Sequence, residues 1–294
     1  MTTTDLAAQR RFYAEEVQIS SNIKSAALVD ALAAVPRERF LPPGPWTIKG
    51  EADFQQPPRQ TPSDDPRFVY HNVAIAIDPA RTLFNGAPGL LLVMMEALGV
   101  APGKRVAHIG TGNGYYTAVM AEAVGKNGRV FGIDVDPALA ARAAEHLSAW
   151  PWASVSHGDG RAIPGGPASV DAIFVNAGVT HILPEWIGAL APGGRMIIPL
   201  TATMAGPMGP AIANIGKGLV LLISRTDDSS VFDARLVTFV GIYSAIGLRD
   251  EELNTKIGAA LAKMPFPQLK KLRLDPHDAG PSCWLHDERG CWQT

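Results

Sequence analysis

The stretch Arg105-Val-Ala-His-Ile-Gly-Thr-Gly-Asn-Gly-Tyr-Tyr-Thr-Ala-Val-Met-Ala-Glu-Ala-Val124 decides how the chain is read. Val106 to Ile109 is a short apolar run that suits a buried strand, and Tyr115 to Val124 suits a helix. Between them stand Gly110, Gly112 and Gly114. Glycine belongs where a backbone turns with positive φ or where a ligand must approach the main chain, and a strand-loop-helix corner offers both situations. The spacing is G-x-G-x-G with Tyr at 115, so the third glycine of a dinucleotide fingerprint is missing, which argues against NAD. The following strand, Arg129 to Asp134, ends on an acid 24 residues after Gly110, about where a βαβ unit places its ribose-binding carboxylate. The corner is therefore a candidate nucleotide-binding loop, with Asp134 as its ribose anchor.

Outward from this corner, strands and helices alternate. Asp136-Pro137 reads as an N-cap with proline at the first helical position, followed by Leu139, Ala143 and Leu147 at helical spacing. Ala153 to His157 is a strand ending in His157-Gly-Asp-Gly160, and Val170 to Ala177 is a strongly apolar one. Leu183 to Leu190 reads as a helix closed by Ala191-Pro-Gly-Gly194, and Arg195 to Leu200 as a further strand. Such alternation predicts an α/β fold, Rossmann-like and doubly wound, around a mostly parallel sheet. Ligands on such sheets bind at the carboxyl ends of the strands, so the loops Gly110–Gly114, Asp134–Asp136, Gly158–Gly160 and Asn176–Gly178 are the ones of interest. After a Gly/Pro/Met-rich loop, Leu219 to Arg225 and Ala234 to Tyr243, joined by Thr226 to Ser230, predict an antiparallel edge hairpin that completes a seven-stranded sheet. Asp250 then caps a helix through Lys263, and a tail rich in Trp and His follows.

Ahead of the corner, residues 5–20 carry a weak helical pattern, and Ser25 precedes a helical stripe of Leu28, Leu32 and Val35 that Pro36 ends. Pro42 to Pro66 is proline-rich and poor in aliphatics, which predicts an extended surface segment, a lid or an insertion. Tyr70 to Ile77 suits a short strand, Arg81 to Gly89 a turn-rich loop, and Leu90 to Leu98 an apolar helix. Three parts are expected: 1–70, an N-terminal helical segment with the proline-rich insertion; 71–245, the ligand-binding domain; and 246–294, a helix and tail.

Charge is nearly balanced in this chain of 294 residues, with 26 Lys+Arg against 28 Asp+Glu. No broad positive footprint for nucleic acid or an anionic membrane results, so neither is an expected partner. The apolar runs fall far short of the roughly 20 residues that span a bilayer, and Met1-Thr-Thr-Thr-Asp-Leu-Ala lacks the look of a secretory signal, so a cytoplasmic protein is expected. Cys283 and Cys291, each followed by Trp, lack C-x-x-C spacing, so two reduced thiols on a packed tail are favoured over a metal site, although His277 and His286 stand close by.

The run of motifs H-I-G-T-G-N-G-Y from His108, G-I-D-V-D-P from Gly132, H-G-D-G-R from His157, V-D-A-I-F-V-N-A from Val170 and L-A-P-G-G-R-M-I-I-P-L from Leu190 resembles the class I S-adenosylmethionine-dependent methyltransferases. Among these it is most similar to the protein-L-isoaspartate O-methyltransferases, beginning with Leu28-Val-Asp-Ala-Leu-Ala-Ala-Val-Pro-Arg-Glu-Arg-Phe-Leu-Pro42. The resemblance implies that Gly110, Gly112 and Gly114 let the loop approach the methionine part of S-adenosylmethionine, that Asp134 accepts from the ribose hydroxyls, and that Asp159 and Gly160 lie beside the adenine. Asn113, Val135 and Asn176 complete the candidate cofactor set, with S-adenosylhomocysteine as product. Two departures stand out. His108 replaces the acid that usually ends the family's first strand, and Thr82-Leu-Phe-Asn-Gly-Ala-Pro88 replaces its T-[IVL]-S-Q-P acceptor loop, so the serine is gone and a residue is added.

Methyl transfer from a sulfonium is an in-line displacement in which positioning can supply roughly 7–11 kcal/mol. A carboxylate acceptor, with a pKa of about 4, is ionised at neutral pH and needs no base. Thr82 and Asn85 are then the candidate acceptor-side residues, Asn85 being the nearest polar substitute for the lost serine. A hydroxyl acceptor of a small molecule needs a base, for which His71, His108, His157 and His181 are candidates and His181 the best placed. A cofactor-binding scaffold without turnover is the third reading. Tyr115 and Tyr116 are expected in the core.

Overall fold

A computed structural model describes residues 3–50, 56–205, 214–228, 230–263 and 268–294. The chain opens with α1 (Thr3–Ser20) and α2 (Ala26–Ala34), and the Ser25 hydroxyl caps α2 by accepting the Leu28 N–H. Four short strands follow, β1 (Thr47–Lys49), β2 (Arg59–Gln60), β3 (Ala74–Asp78) and β4 (Leu83–Phe84), and then α3 (Pro88–Leu98). The alternating part comprises β5 (Arg105–Ile109), α4 (Tyr115–Val124), β6 (Arg129–Asp134), α5 (Pro137–His146), β7 (Ala153–His157), β8 (Val170–Val175) and α6 (Pro184–Ala189). The remainder is β9 (Leu190–Ala202), β10 (Ile215–Arg225), β11 (Val231–Tyr243), α7 (Glu251–Leu261), β12 (Lys271–Arg273), β13 (Cys283–Asp287) and β14 (Gly290–Gln293). The described residues divide into two units, one of Met1–Lys104 with Thr111–His157 and one of Arg105–Gly110 with Gly158–Thr294.

In the first unit β6 and β7 run parallel, pairing Asp134 with His157, while α5 packs on β7 and α4 on β6. Helix α4 begins after Gly114, where φ is +89°, and its apolar length buries Tyr115, Tyr116 and Met120 against α2, as expected for these aromatics. The Asp136 carboxylate caps α5 by accepting the N–H groups of Ala138 and Leu139, with Pro137 at the first helical position. The described part of the proline-rich segment is extended, as expected, and is also paired. It supplies β1 and β2 of a small antiparallel sheet ordered β2-β1-β3-β4. Trp46 explains this: it is 6% exposed, its indole N–H donates to the Pro42 carbonyl at 2.8 Å, and its backbone pairs with Thr61. Burying an indole with its polar edge satisfied gives a polar-looking segment its own anchor.

In the second unit the sheet is mixed and runs β13-β14-β12-β11-β10-β9-β8-β5. β5 pairs parallel with β8 and β8 with β9, whereas β9-β10-β11 are antiparallel, which gives the expected hairpin. The loop expected between Leu200 and this hairpin lies largely outside the described residues, as does part of the hairpin's turn. Two features differ from expectation. The Ala191-Pro-Gly-Gly194 turn is absorbed into β9 as an irregularity between the pairs Val170↔Leu190 and Ala172↔Arg195, which shortens α6 to Pro184–Ala189. The tail also forms strands: β12 pairs with β11, β14 with β12 and β13 with β14. Among the described residues this sheet alone thus has eight strands, more than the expected seven. The tail joins because Leu272, Leu285, Cys291 and Trp292 are buried on short strands, in a pattern interrupted by Asp and Gly.

Candidate functional site

Within the first unit, the loop Thr111–Gly114 is built around Asp134. The Asp134 Oδ2 atom accepts the Gly112 N–H at 2.7 Å and Oδ1 accepts the Asp136 N–H at 2.9 Å. The Thr111 hydroxyl lies 3.4 Å from Oδ2. Asp134 is 7% exposed, and burial pushes its carboxyl above the usual range, opposed by those two N–H groups. Gly112 and Gly114 have φ of +57° and +89°, and a Cβ at Gly114 would meet Ala143 Cβ at 3.0 Å, so position 114 requires glycine twice over. Asn113 is buried and occupied: its side-chain N–H donates to the Phe40 carbonyl, and its own carbonyl lies 2.8 Å from His146 Nδ1. Val135, by contrast, is 38% exposed beside the buried Asp134. Asp136 pairs with Arg81, which also bonds Asp78 at 2.7 Å, and this partner holds the Asp136 carboxyl below its usual range.

Within the second unit, β5 ends at Gly110, whose φ is +84°. Asn176 N–H donates to the Ile109 carbonyl at 2.8 Å and its side chain to the Gly110 carbonyl at 3.3 Å. Asn176 thus fixes the start of the glycine loop. Gly160 has φ of +82°, a Cβ there would meet Ile109 Cγ2 at 2.6 Å, and its carbonyl accepts the indole N–H of fully buried Trp186 at 2.8 Å. Asp159 is half exposed and pairs with Arg161. His181 Nδ1 lies 3.0 Å from the Thr180 hydroxyl, and the ring lines a cleft of about 580 Å³ with Arg161, Ile182, Glu185, Leu274 and Arg289. Burial, with Arg289 adding to it, holds the His181 imidazole below its usual range.

The substituted acceptor loop belongs to the first unit. Thr82 is exposed with φ of +55°. Asn85 is buried, and its Oδ1 accepts from Arg37 Nη2 at 3.3 Å and from the Ile75 N–H at 3.1 Å. Both neighbours are donors, which fixes the orientation of the carboxamide. Its Nδ2 is buried with no hydrogen-bond partner among the described residues. Arg37, fully buried, also donates to the carbonyls of Val69, His71 and Val73 at 3.0, 3.0 and 2.8 Å. The sequence offered this residue only inside a motif. The Pro36-Arg37 junction at the end of an apolar helix was the available signal, but its carbonyl partners lie more than thirty residues away.

Among the other histidines, His108 is fully buried in β5 and packs edge-on against Phe174. Burial depresses its pKa to about 3, which removes it as a base for an external acceptor. His157 Nε2 is 3.2 Å from the Val135 carbonyl.

Residues 51–209 match the model of the Protein-L-isoaspartate(D-aspartate) O-methyltransferase family. Over 251 residues the chain is 33% identical to the protein-L-isoaspartate O-methyltransferase of Methylorubrum extorquens, covering 84% of this chain and 93% of the relative. The chain belongs to this family. A second relative, the protein-L-isoaspartate O-methyltransferase of Pyrobaculum neutrophilum, is 33% identical over 193 residues, covering 65% of this chain and 83% of the relative. In fold the chain is similar to a solved protein-L-isoaspartate O-methyltransferase, with a TM-score of 0.63 at 22% identity over 86% of this chain and 68% of that one. A beta-aspartate methyltransferase from Plasmodium falciparum, solved in complex with S-adenosyl-L-homocysteine, gives 0.57 at 16% identity over 80% of this chain and 97% of that one.

Family membership makes the protein an S-adenosylmethionine-dependent methyltransferase with the α/β methyltransferase fold and a mixed sheet. The geometry of the first unit fits that cofactor. A buried carboxylate is held by backbone N–H groups at a strand end, glycines flank it, and the exposed apolar Val135 stands beside it. Among the described residues, no helix is long and apolar enough to cross a membrane.

Proposed function

We propose that this methyltransferase acts on a carboxylate of a protein or peptide, isoaspartyl or otherwise aspartate-derived, through residues 71–245, in the cytoplasm. The observation that carries the proposal is the Asp134 carboxylate, oriented by Gly112 and Asp136 so that it can also accept from vicinal hydroxyls of a ribose. Val135 offers an apolar surface for the flat adenine, and Gly112 keeps side-chain bulk away from the methionine end. Gly110, Asp159, Gly160 and Asn176 join the cofactor set on the strength of their motifs, with Asn176 and Trp186 fixing the backbone at Gly110 and Gly160. When bound, S-adenosylmethionine supplies the electrophilic methyl group.

On the acceptor side, the Asn85 Nδ2 donor is the polar group of the loop left for a carboxylate oxygen, while Arg37 sets its orientation. Thr82 lies on the exposed shoulder of the same loop. An ionised carboxylate is already nucleophilic, which agrees with a loop, Thr82 to Pro88, that carries no titratable side chain. A second reading, a hydroxyl acceptor deprotonated by His181, is favoured by the cleft that this histidine lines and by its lowered pKa.

The test is calorimetric titration of S-adenosylhomocysteine into the wild-type chain and Asp134→Ala, followed by labelled-methyl transfer to an isoaspartyl peptide and its aspartyl counterpart. Binding that collapses in the variant, with label on the isoaspartyl peptide alone, is the expected result. Binding without transfer to either peptide overturns the acceptor assignment, and no binding overturns the cofactor site.

A further inference from the structure

We propose that His277, Cys283, His286 and Cys291 form a structural zinc site in the C-terminal tail. One donor atom from each of the four lies within 4.8 Å of the others, and all four belong to the second unit. A tetrahedral zinc bound at about 2.0–2.3 Å sets its donors roughly 3.3–3.8 Å apart, so only modest side-chain adjustment closes the cluster. Two thiolates and two imidazoles are the donor set that selects zinc over harder cations, and their charges cancel those of the ion.

The strand register shows how a sequence with no C-x-x-C pair reaches this geometry. His286 stands directly opposite Cys291 on the antiparallel β13–β14 pair, so both side chains project from one face. Cys283 lies three residues before His286 and would point to the other face of a regular strand. The register shifts between Cys283 and Leu285, so Cys283 pairs with Gln293, two residues from Cys291 and on its face. The bulge at Trp284 thus turns Cys283 toward the cluster. Leu285 and Trp292, paired with one another, take the opposite, buried face.

The surroundings of the donors match ligand positions. His277 Nδ1 is 2.7 Å from the Asp275 carbonyl, an acceptor only, so Nδ1 carries the proton and Nε2 presents its lone pair. That Nε2 is buried with no hydrogen-bond partner among the described residues, and so is Nδ1 of His286. Two buried nitrogens without a hydrogen-bond partner thus stand next to two thiols, and a cation that takes their lone pairs satisfies all four groups at once. Cys283 Sγ already accepts the Gly280 N–H at 3.3 Å, the kind of bond that supports a thiolate. The three short strands β12, β14 and β13 have few apolar side chains of their own, a situation in which a metal supplies the missing stability. On binding, two zinc–sulfur bonds form, two thiol protons go to solvent, and the neutral imidazoles donate lone pairs with no change in oxidation state.

The experiment is metal analysis of the full chain, expressed in zinc-supplemented medium and purified under reducing conditions, beside Cys283→Ser and His277→Ala. The wild type is expected to hold one zinc per chain and the variants to lose at least nine-tenths of it while retaining S-adenosylhomocysteine affinity within twofold. Cobalt exchanged into the wild type is expected to show the intense visible bands and sulfur charge transfer of a tetrahedral thiolate site, a readout that survives any folding defect in a variant. Trace zinc with a weak octahedral cobalt spectrum overturns the proposal. So does a chain two hydrogens lighter, with both thiols unreactive, since that is a Cys283–Cys291 disulfide.

Discussion

The Gly112 N–H donates to Asp134 Oδ2 across 2.7 Å, so the loop's central glycine and the acid proposed to bind ribose are one hydrogen-bonded unit. On the proposed function, losing the carboxylate removes both the cofactor's anchor and the loop's internal support. For Asp134→Ala, the hydrogen bond to a charged group is worth about 1.5–3 kcal/mol, or roughly 10–100-fold in S-adenosylhomocysteine affinity. Calorimetry on the variant checks this, and an unchanged Kd would remove Asp134 from the site.

Arg37 draws the Val69, His71 and Val73 carbonyls and the Asn85 carboxamide onto one guanidinium. Arg37→Met leaves these buried acceptors short of donors, at a cost on the order of 3–5 kcal/mol. Arg37→Lys is expected to recover only part of it, because a point charge cannot match a planar fork with several donors. Denaturant melts of the two variants give both numbers, and equal stability of Lys and wild type would contradict the fork argument.

His108 makes stability depend on pH. Its folded pKa, depressed by burial to about 3, lies below the unfolded value of about 6.5. The neutral ring's contribution is therefore fully present above pH ~6.5 and declines as pH falls toward ~3, with a slope of about 1.4 kcal/mol per pH unit. Comparing wild type with His108→Leu by urea melts between pH 6 and 4 isolates this proton. Parallel curves would show that His108 does not carry it.

The two acceptor classes separate at His181. With a carboxylate acceptor, His181→Gln is expected to change kcat by less than about tenfold and to leave the pH-rate profile without a limb near the histidine range. A hydroxyl acceptor predicts a loss of roughly 10²–10⁴ and disappearance of that limb. Only the second pattern would move the chemistry to the cleft around His181.

The parts read correctly from the sequence are those whose causes are local. The glycine corner, the acid ending β6 and the Asp136-Pro137 cap depend on neighbours within a few residues, and their spacing states them outright. Asn85 was legible as a polar substitute but not as a side chain whose oxygen is already taken, because Arg37 approaches from 48 residues away. The small sheet around Trp46 and the tail strands were hidden for a related reason. Both are two- to five-residue strands whose pairing depends on a buried indole or a bulge rather than on a periodic pattern. The bond from the Asn113 amide to the Phe40 carbonyl was likewise invisible, because it joins chain segments 73 residues apart.

The turn Asp134-Val135-Asp136 performs two jobs with adjacent acids. The Asp136 N–H holds Asp134, while the Asp136 carboxylate holds the first turn of α5 and the Arg81 side chain. On the proposed function, ligand binding at Asp134 and fraying of α5 are coupled equilibria, and coupling of this kind is reciprocal. A ligand that draws Asp134 tighter is then expected to slow amide exchange at Ala138 and Leu139, and a substitution that loosens the helix start to weaken the ligand.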